Sequence, residues 1–320
     1  MTGDVRRIVR RALFLDVDPY ETVHVPGATL YLRPGAVFGP HVPSICVIGA
    51  FDGLHMGHRA LIDAARIEAS ERSLPFALVT FVPDPSEVLS RRNPEHLCTD
   101  DDRIRSLMSA EPDLIVAFDF TWDFSRNTYE TFTLDVLGSI VRPVSIHVGE
   151  DFTFGADGAG SPADIARLGQ VHGFAAHGHR LVESDGAPVS STRIRGLLKD
   201  GRIVEASALL ERQHMMRATV VADHDGQVIL SFDDRLCMPA SGSYACAVVC
   251  GNEARAASVC IDAPSYSAVA IPSCSIPTAT ASCSVVILAP LSESDEIFQR
   301  MWVQQSRIML DSGEVARDQR

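Results

Sequence analysis

Lys199 is the only lysine among 320 residues, so the Gly-Lys-Ser/Thr ending of a P-loop cannot be present. Any phosphate this chain holds must be met by arginine, histidine, hydroxyls, backbone amides or a metal ion. Long apolar runs are missing as well. Ala12-Leu13-Phe14-Leu15, behind Arg6, Arg7, Arg10 and Arg11, is far too short for a signal or membrane segment, so the expected location is the cytoplasm. Positive charge is in deficit: 28 Lys and Arg against 41 Asp and Glu leave a net charge of −13. That balance argues against a general nucleic-acid binder, which needs clustered cations. Eight cysteines include no C-x-x-C pair, and the six between Cys237 and Cys283 read as reduced, small apolar residues of a β-rich core. Internal repeats and low-complexity linkers are also lacking. What remains, at 46% hydrophobic and 22% charged residues, is the composition of a soluble protein of about two domains.

The most informative stretch is Gly49-Ala50-Phe51-Asp52-Gly53-Leu54-His55-Met56-Gly57-His58. It follows a short apolar run, Ile45-Cys46-Val47-Ile48, that suits a buried parallel strand, and precedes a helical pattern from His58 onward. A strand, a glycine loop and a helix N-terminus make an anion site, because the first helical N–H groups are unpaired and carry partial positive charge. Gly49, Gly53 and Gly57 allow phosphate oxygens close to the backbone, and two imidazoles can donate to a phosphate as its charge shifts. The blander readings are a pair of loop histidines or half of a metal site. Zinc normally takes three or four ligands, and no cysteine lies near, so no metal ligands are assigned here.

Apolar runs and helical stretches alternate from residue 44 to about 185. Strands are expected at 76–81, 114–118 and 144–148, and helices at 99–110 and 129–140. Ser161-Pro162 reads as a helix cap. This alternation predicts a doubly wound parallel sheet with helices on both faces and ligands beyond the carboxyl ends of its strands. Past residue 213, short segments at 218–222, 228–232, 244–249, 257–261 and 283–288 predict an antiparallel barrel or sandwich, closed by a helix over roughly Ser294 to Leu310.

Two further segments carry chemistry. Ser190-Ser191-Thr192-Arg193-Ile194-Arg195 opens a helical stretch running to Leu210, and its N-terminus with two arginines would make a second anion pocket; alone, it could equally be an ordinary cap with solvated arginines. Val148-Gly149-Glu150-Asp151-Phe152-Thr153-Phe154-Gly155 follows the fourth expected strand. Aromatic faces there suit stacking on a planar heterocycle, with Asp151 or Glu150 at its polar edge, or they fill the core.

Together with Thr80-Phe81-Val82-Pro83-Asp84-Pro85, these segments resemble the bacterial FAD synthetase family, whose pattern combines G-x-F-D-G-x-H-x-G-H, T-F-x-P-x-P, V-G-x-[DN]-F-x-F-G and S-S-T-x-[IV]-R. The resemblance covers about residues 40–212. It implies an N-terminal extension and first element over 1–40, an FMN adenylyltransferase domain over 41–212, and a riboflavin-kinase-like barrel over 213–320. It also implies transfer of AMP from ATP, with Mg²⁺, to FMN. His55, His58 and Arg195 would act in catalysis, Gly49, Phe51, Asp52, Gly57, Ser191 and Thr192 would hold ATP, and Phe81, Asp151 and Phe154 would line the FMN site. Asp84, often histidine in the family, and Leu89, often aromatic, depart on the flavin side. The barrel departs further: Pro239-Ala240-Ser241-Gly242-Ser243-Tyr244-Ala245 resembles the kinase strand P-x-G-V-Y-A, but no P-T-A-N loop precedes it, and Pro277-Thr278-Ala279-Thr280 falls after it. Kinase activity is therefore expected to be absent. The competing expectations are a flavin- or nucleotide-binding regulatory module with weak turnover, and an adenylyltransferase for another phosphorylated acceptor.

Overall fold

A computed structural model describes residues 2–90, 94–224, 227–272, 282–291 and 308–309. The chain falls into two compact units, one of Val17–Pro94 with Asp100–Ser191, the other of Met1–Asp16, Glu95–Thr99 and Thr192–Arg320. Helix α1 (Thr2–Ala12) belongs to the latter.

The first unit runs β1 (Glu21–Val25), β2 (Ala28–Leu32), β3 (Pro43–Ile48), α2 (Met56–Arg72), β4 (Phe76–Val82), α3 (Pro85–Leu89), α4 (Asp100–Met108) and β5 (Leu114–Asp119). It continues through α5 (Tyr129–Thr131), a π turn at Phe132–Val136, α6 (Leu137–Ile140), β6 (Arg142–Gly149), α7 (Pro162–His172), β7 (Ala175–His179) and a small hairpin of β8 (Glu183–Ser184) and β9 (Ala187–Pro188). The main sheet has the order β1-β2-β5-β4-β3-β6-β7. From β5 to β7 all neighbours are parallel, but β2 joins β5 antiparallel and β1 joins β2 in a hairpin. The expected all-parallel sheet is thus extended by an antiparallel edge drawn from residues expected to be an extension, because Ala28, Leu30 and Leu32 pack against the core.

The strands read as unbroken apolar runs because helices cover both faces. Ile45 and Val47 point under α2 with Leu61, Ile62, Ala65, Leu78 and Ile115, while Cys46 and Ile48 point the other way toward Val79, Val116, Phe118 and Ile146. Ser161 caps α7 with a full capping box against Asp164, and Gly173 ends it in the left-handed region that glycine tolerates.

In the second unit come α8 (Ser191–Lys199), α9 (Ile203–Leu210), β10 (Met215–His224), β11 (Gln227–Phe232), β12 (Gly242–Cys250), β13 (Glu253–Asp262), β14 (Ser267–Pro272), β15 (Ser282–Pro290) and β16 (Ile308–Met309). The single helix expected to reach Leu210 is broken in two at Gly201, where φ is +72°. Six antiparallel strands close into a barrel in the order β12-β15-β10-β11-β14-β13, with β13 returning to β12. Strand β14 escaped the sequence reading because its Ser-Ala-Val-Ala-Ile-Pro carries little apolar bulk. The expected closing helix falls largely on residues 292–307, outside the described residues; at Ile308–Met309 the chain is instead a strand paired with β13. Val5, Val9, Ala12 and Leu13 bury themselves against Met215, Ala247, Ala254 and Val286, so the start of the segment expected as an N-terminal extension is a helix of the barrel unit.

Candidate active site

The loop Gly49 to His58 leaves the carboxyl end of β3 and enters α2. Its backbone is left-handed at Phe51 (φ +60°), Gly53 (φ +81°) and Leu54 (φ +44°). Such angles cost a phenylalanine or leucine about 1 kcal/mol or more. Complete burial of both side chains beneath α2 offsets that cost. Asp52, buried between them, offers its carbonyl to Ser191 Oγ at 2.8 Å. One hydrogen bond therefore ties the start of the S-S-T segment to the histidine loop.

His55 is the N-cap of α2. Its Nδ1 accepts the His58 backbone N–H at 3.3 Å, which leaves the ring proton on Nε2. The His58 ring stacks on that of His55, with centroids 3.7 Å apart and planes 16° apart, and Phe51 meets His58 edge-on at 5.3 Å. Gly57 makes this packing possible, since a Cβ there would stand 3.2 Å from the His55 ring. His58 Nδ1 is sealed from solvent and has no hydrogen-bond partner. Burial pushes His55 down to about 4. Burial, then the charges of His55 and Arg59, holds His58 well below the usual histidine range. Both rings are consequently neutral at neutral pH and act as oriented dipoles, not cations. The first turn of α2 contains no acidic residue, so its N-terminus keeps its attraction for an anion.

Thr192 and Arg195 follow Ser191 along α8, among residues of the barrel unit, and Arg195 Nη2 donates to Thr192 Oγ1 at 3.1 Å. The helix begins in one unit and ends in the other.

A cleft of about 880 Å³ opens beside the histidine loop, and Ala50 lines it. Phe81 and Phe154 come together on its wall, with Phe124 and Phe152; Phe152 and Phe154 stack at 5.3 Å. Phe154 is 8% exposed and belongs to the core as well as to the cleft wall. Asp151 does not line the cleft: it is exposed on the tight turn after β6, its Oδ1 against the position a Gly149 Cβ would take. Asp84, where the family often has histidine, is buried, caps α3 by accepting from Ser86 N at 2.9 Å, and faces the cleft.

Sequence reasoning missed Arg103. In Asp100-Asp101-Asp102-Arg103 it reads as one more charge on a solvated helix, yet it is 2% exposed. Its guanidinium donates to Ala50 O at 3.0 Å, Phe81 O at 2.7 Å, Asp100 Oδ1 at 2.5 Å and Asp84 Oδ2 at 3.4 Å. It fastens the histidine loop, the end of β4 and α3 together. Trp122, 63% exposed at the cleft, was missed as well, and nothing in its neighbourhood in sequence marks it.

The FAD synthetase family matches residues 40–193, the span that holds the histidine loop, the cleft and the first residues of α8. Those residues belong to that family. A bifunctional riboflavin kinase/FMN adenylyltransferase of Escherichia coli K12 is 30% identical over 192 residues, 59% of this chain and 61% of that protein. The protein of the same description from Listeria monocytogenes is 29% identical over 199 residues, 59% of this chain and 60% of its own. The chain thus spans about three fifths of the length of these curated relatives. A crystal structure described as a macrolide-efflux protein from Streptococcus pneumoniae is similar at a TM-score of 0.70 and 25% identity, covering 81% of this chain and 94% of that one. Among the described residues here, no helix is long and apolar enough to cross a membrane. In the FAD synthetase domain, the donors at the head of α2 are nitrogens and amides. Magnesium takes oxygen ligands, so this donor set suits an anion rather than a magnesium ion.

Proposed function

We propose that this protein is an FMN adenylyltransferase that makes FAD from FMN and ATP in the cytoplasm. The observation that carries the reading is the shared residue Ala50: it belongs to the histidine loop and lines the aromatic cleft, so an anion site and a site for a flat apolar ring adjoin. A phosphate oxygen of FMN attacks the α-phosphorus of ATP, its new P–O bond replacing the bond to the β-phosphate, which leaves as pyrophosphate. No covalent enzyme intermediate is needed, so the protein's task is positioning and charge stabilisation. The His55 Nε2–H, the amides opening α2, the His58 ring and Ser191, bonded to Asp52 O, meet the phosphates; Thr192 and Arg195 are assigned to ATP on their sequence motif alone. Magnesium on the triphosphate supplies charge neutralisation. Phe81 and Phe154 stack on the isoalloxazine; the expected contact of Asp151 with the ring is given up, because Asp151 does not line the cleft.

We further propose that the barrel does not phosphorylate riboflavin. Phosphoryl transfer needs a loop that holds phosphates and metal. The stretch ahead of Pro239 offers Asp233 and Arg235 instead, which pair with each other at 2.7 Å, while Tyr244 spends its hydroxyl on Ala240 O at 2.6 Å. The Pro277 segment lies outside the described residues. Incubation of the full chain with Mg-ATP and FMN, followed by separation of the flavins, should yield FAD and pyrophosphate. No FAD above a no-enzyme control would overturn the reading.

A further inference from the structure

A second group of ligating side chains lies on the other edge of the same sheet. Strands β6 and β7 pair in parallel with His147 opposite His177 and Gly149 opposite His179. In the register with β3, Ser145 neighbours Ile45 and His147 neighbours Val47, and both of those face α2. The period of two therefore puts Ser145, His147, His177 and His179 on the face that α2 covers. Glu68 enters from α2. Its Oε2 lies 2.7 Å from His147 Nε2, 3.0 Å from Ser145 Oγ and 3.6 Å from His177 Nε2, while Arg72 Nη1 holds Oε1 at 2.7 Å. His147 Nδ1 is 2.9 Å from His179 Nε2.

We propose that Glu68 Oε2, His147 Nε2 and His177 Nε2 form a site for one divalent transition-metal ion of the zinc type, with His179 fixing His147 from behind. The three ligand atoms lie within 4.8 Å of one another. Tetrahedral zinc, with bonds of about 2.0–2.1 Å, wants ligand atoms about 3.3 Å apart; the observed 2.7 and 3.6 Å bracket that spacing. A neutral His147 places its one ring proton on Nε2, toward Glu68; an ion bound at Nε2 moves that proton to Nδ1, which donates it to His179 Nε2 as the His179 proton moves to its own Nδ1, the outer-shell arrangement that orients most metal-bound histidines. His147 is 3% exposed and cannot turn to water, whereas His177 is exposed and leaves an entry path and a fourth position for water. Two imidazoles and one carboxylate favour zinc, cobalt or nickel over magnesium or calcium, so this site is chemically separate from the Mg²⁺ carried by ATP. Its occupant would join α2, β6 and the edge strand β7.

The test uses the full chain without an affinity tag, stripped with chelator and titrated with Zn²⁺ by calorimetry and with Co²⁺ by visible absorption. One equivalent should bind with Kd in the micromolar range or below, raise Tm, and give Co²⁺ a tetrahedral-type spectrum. His177→Ala, at an exposed position, should leave the metal-free Tm unchanged and weaken Zn²⁺ at least tenfold. His179→Ala should weaken it about 10–100-fold. Absence of stoichiometric binding by the wild-type chain would leave only a carboxylate–imidazole hydrogen-bond network and overturn the proposal. Unaltered binding in both His177→Ala and Glu68→Gln would also overturn it, because the ion would then sit elsewhere.

Discussion

The two ring nitrogens of His55 have separate tasks, one spent on the His58 backbone N–H and the other left to donate. His58 has its Nδ1 walled off and can act only through the rest of its ring. Loss of one preorganised donor commonly costs a factor of about 10²–10³ in turnover, so His58→Ala should lower kcat by about 10² with a smaller effect on ATP affinity. Steady-state kinetics would show it; near-normal kcat removes the ring from the mechanism. Acid should also destabilise the protein through buried histidines. Burial holds His55 at about 4, and burial with Arg212 nearby holds His214 at about 3, against 6.5 in the unfolded chain. Below pH 6.5 the unfolded state takes up these protons first, so stability is full above that pH and falls by about 1.4 kcal/mol per unit per histidine on acidification, down to the folded-state values. His214 has neither ring nitrogen hydrogen-bonded, so His214→Leu should flatten the fall of Tm between pH 6.5 and 4.5. An unchanged slope would mean that His214 protonates as readily folded as unfolded.

At the scale of elements, α2 aims its first turn by way of Gly57. Glycine inside a helix normally loses about 1 kcal/mol to alanine, yet an alanine Cβ here would press on the His55 ring at 3.2 Å, with His58 stacked behind it. Gly57→Ala is expected to leave Tm unchanged or raised while kcat falls on the order of tenfold, because misplacement of a donor costs rate more than stability. A parallel loss of Tm and kcat would point to a folding defect instead. Arg103 does the equivalent for the loops: its planar fork serves Ala50 O and Phe81 O from separate nitrogens while also meeting Asp84 and Asp100, a geometry that a single lysine nitrogen does not reproduce. Arg103→Met should cost about 3 kcal/mol by leaving Asp84 and Asp100 without their buried partner, and Arg103→Lys should recover less than half of it in urea unfolding. Full recovery by lysine would reduce Arg103 to a point charge.

For the whole molecule, the full chain given riboflavin and Mg-ATP should form no FMN above background, even while it converts FMN to FAD; riboflavin-dependent FMN would show that phosphate and metal are held by another loop. A chain cut after Arg212 should aggregate, since Val5, Val9 and Leu13 would lose Met215 and Val286, and light scattering would register it. The histidine loop, the capped helices and the strand–helix alternation were legible in the sequence because glycine, caps and periods of 2 and 3.6 act through neighbouring residues. The T-F-x-P-x-P and F-x-F-G segments were legible for the same reason, as contiguous motifs. Closure of the barrel, the β1–β2 edge, the burial of Arg103 and the meeting of Glu68 with His147, His177 and His179 were not. Each depends on strand register and helix placement between residues far apart in the chain. A charged residue in a helix carries no local mark of which face will be covered, so only the tertiary structure could decide which of these polar side chains faced water and which faced one another.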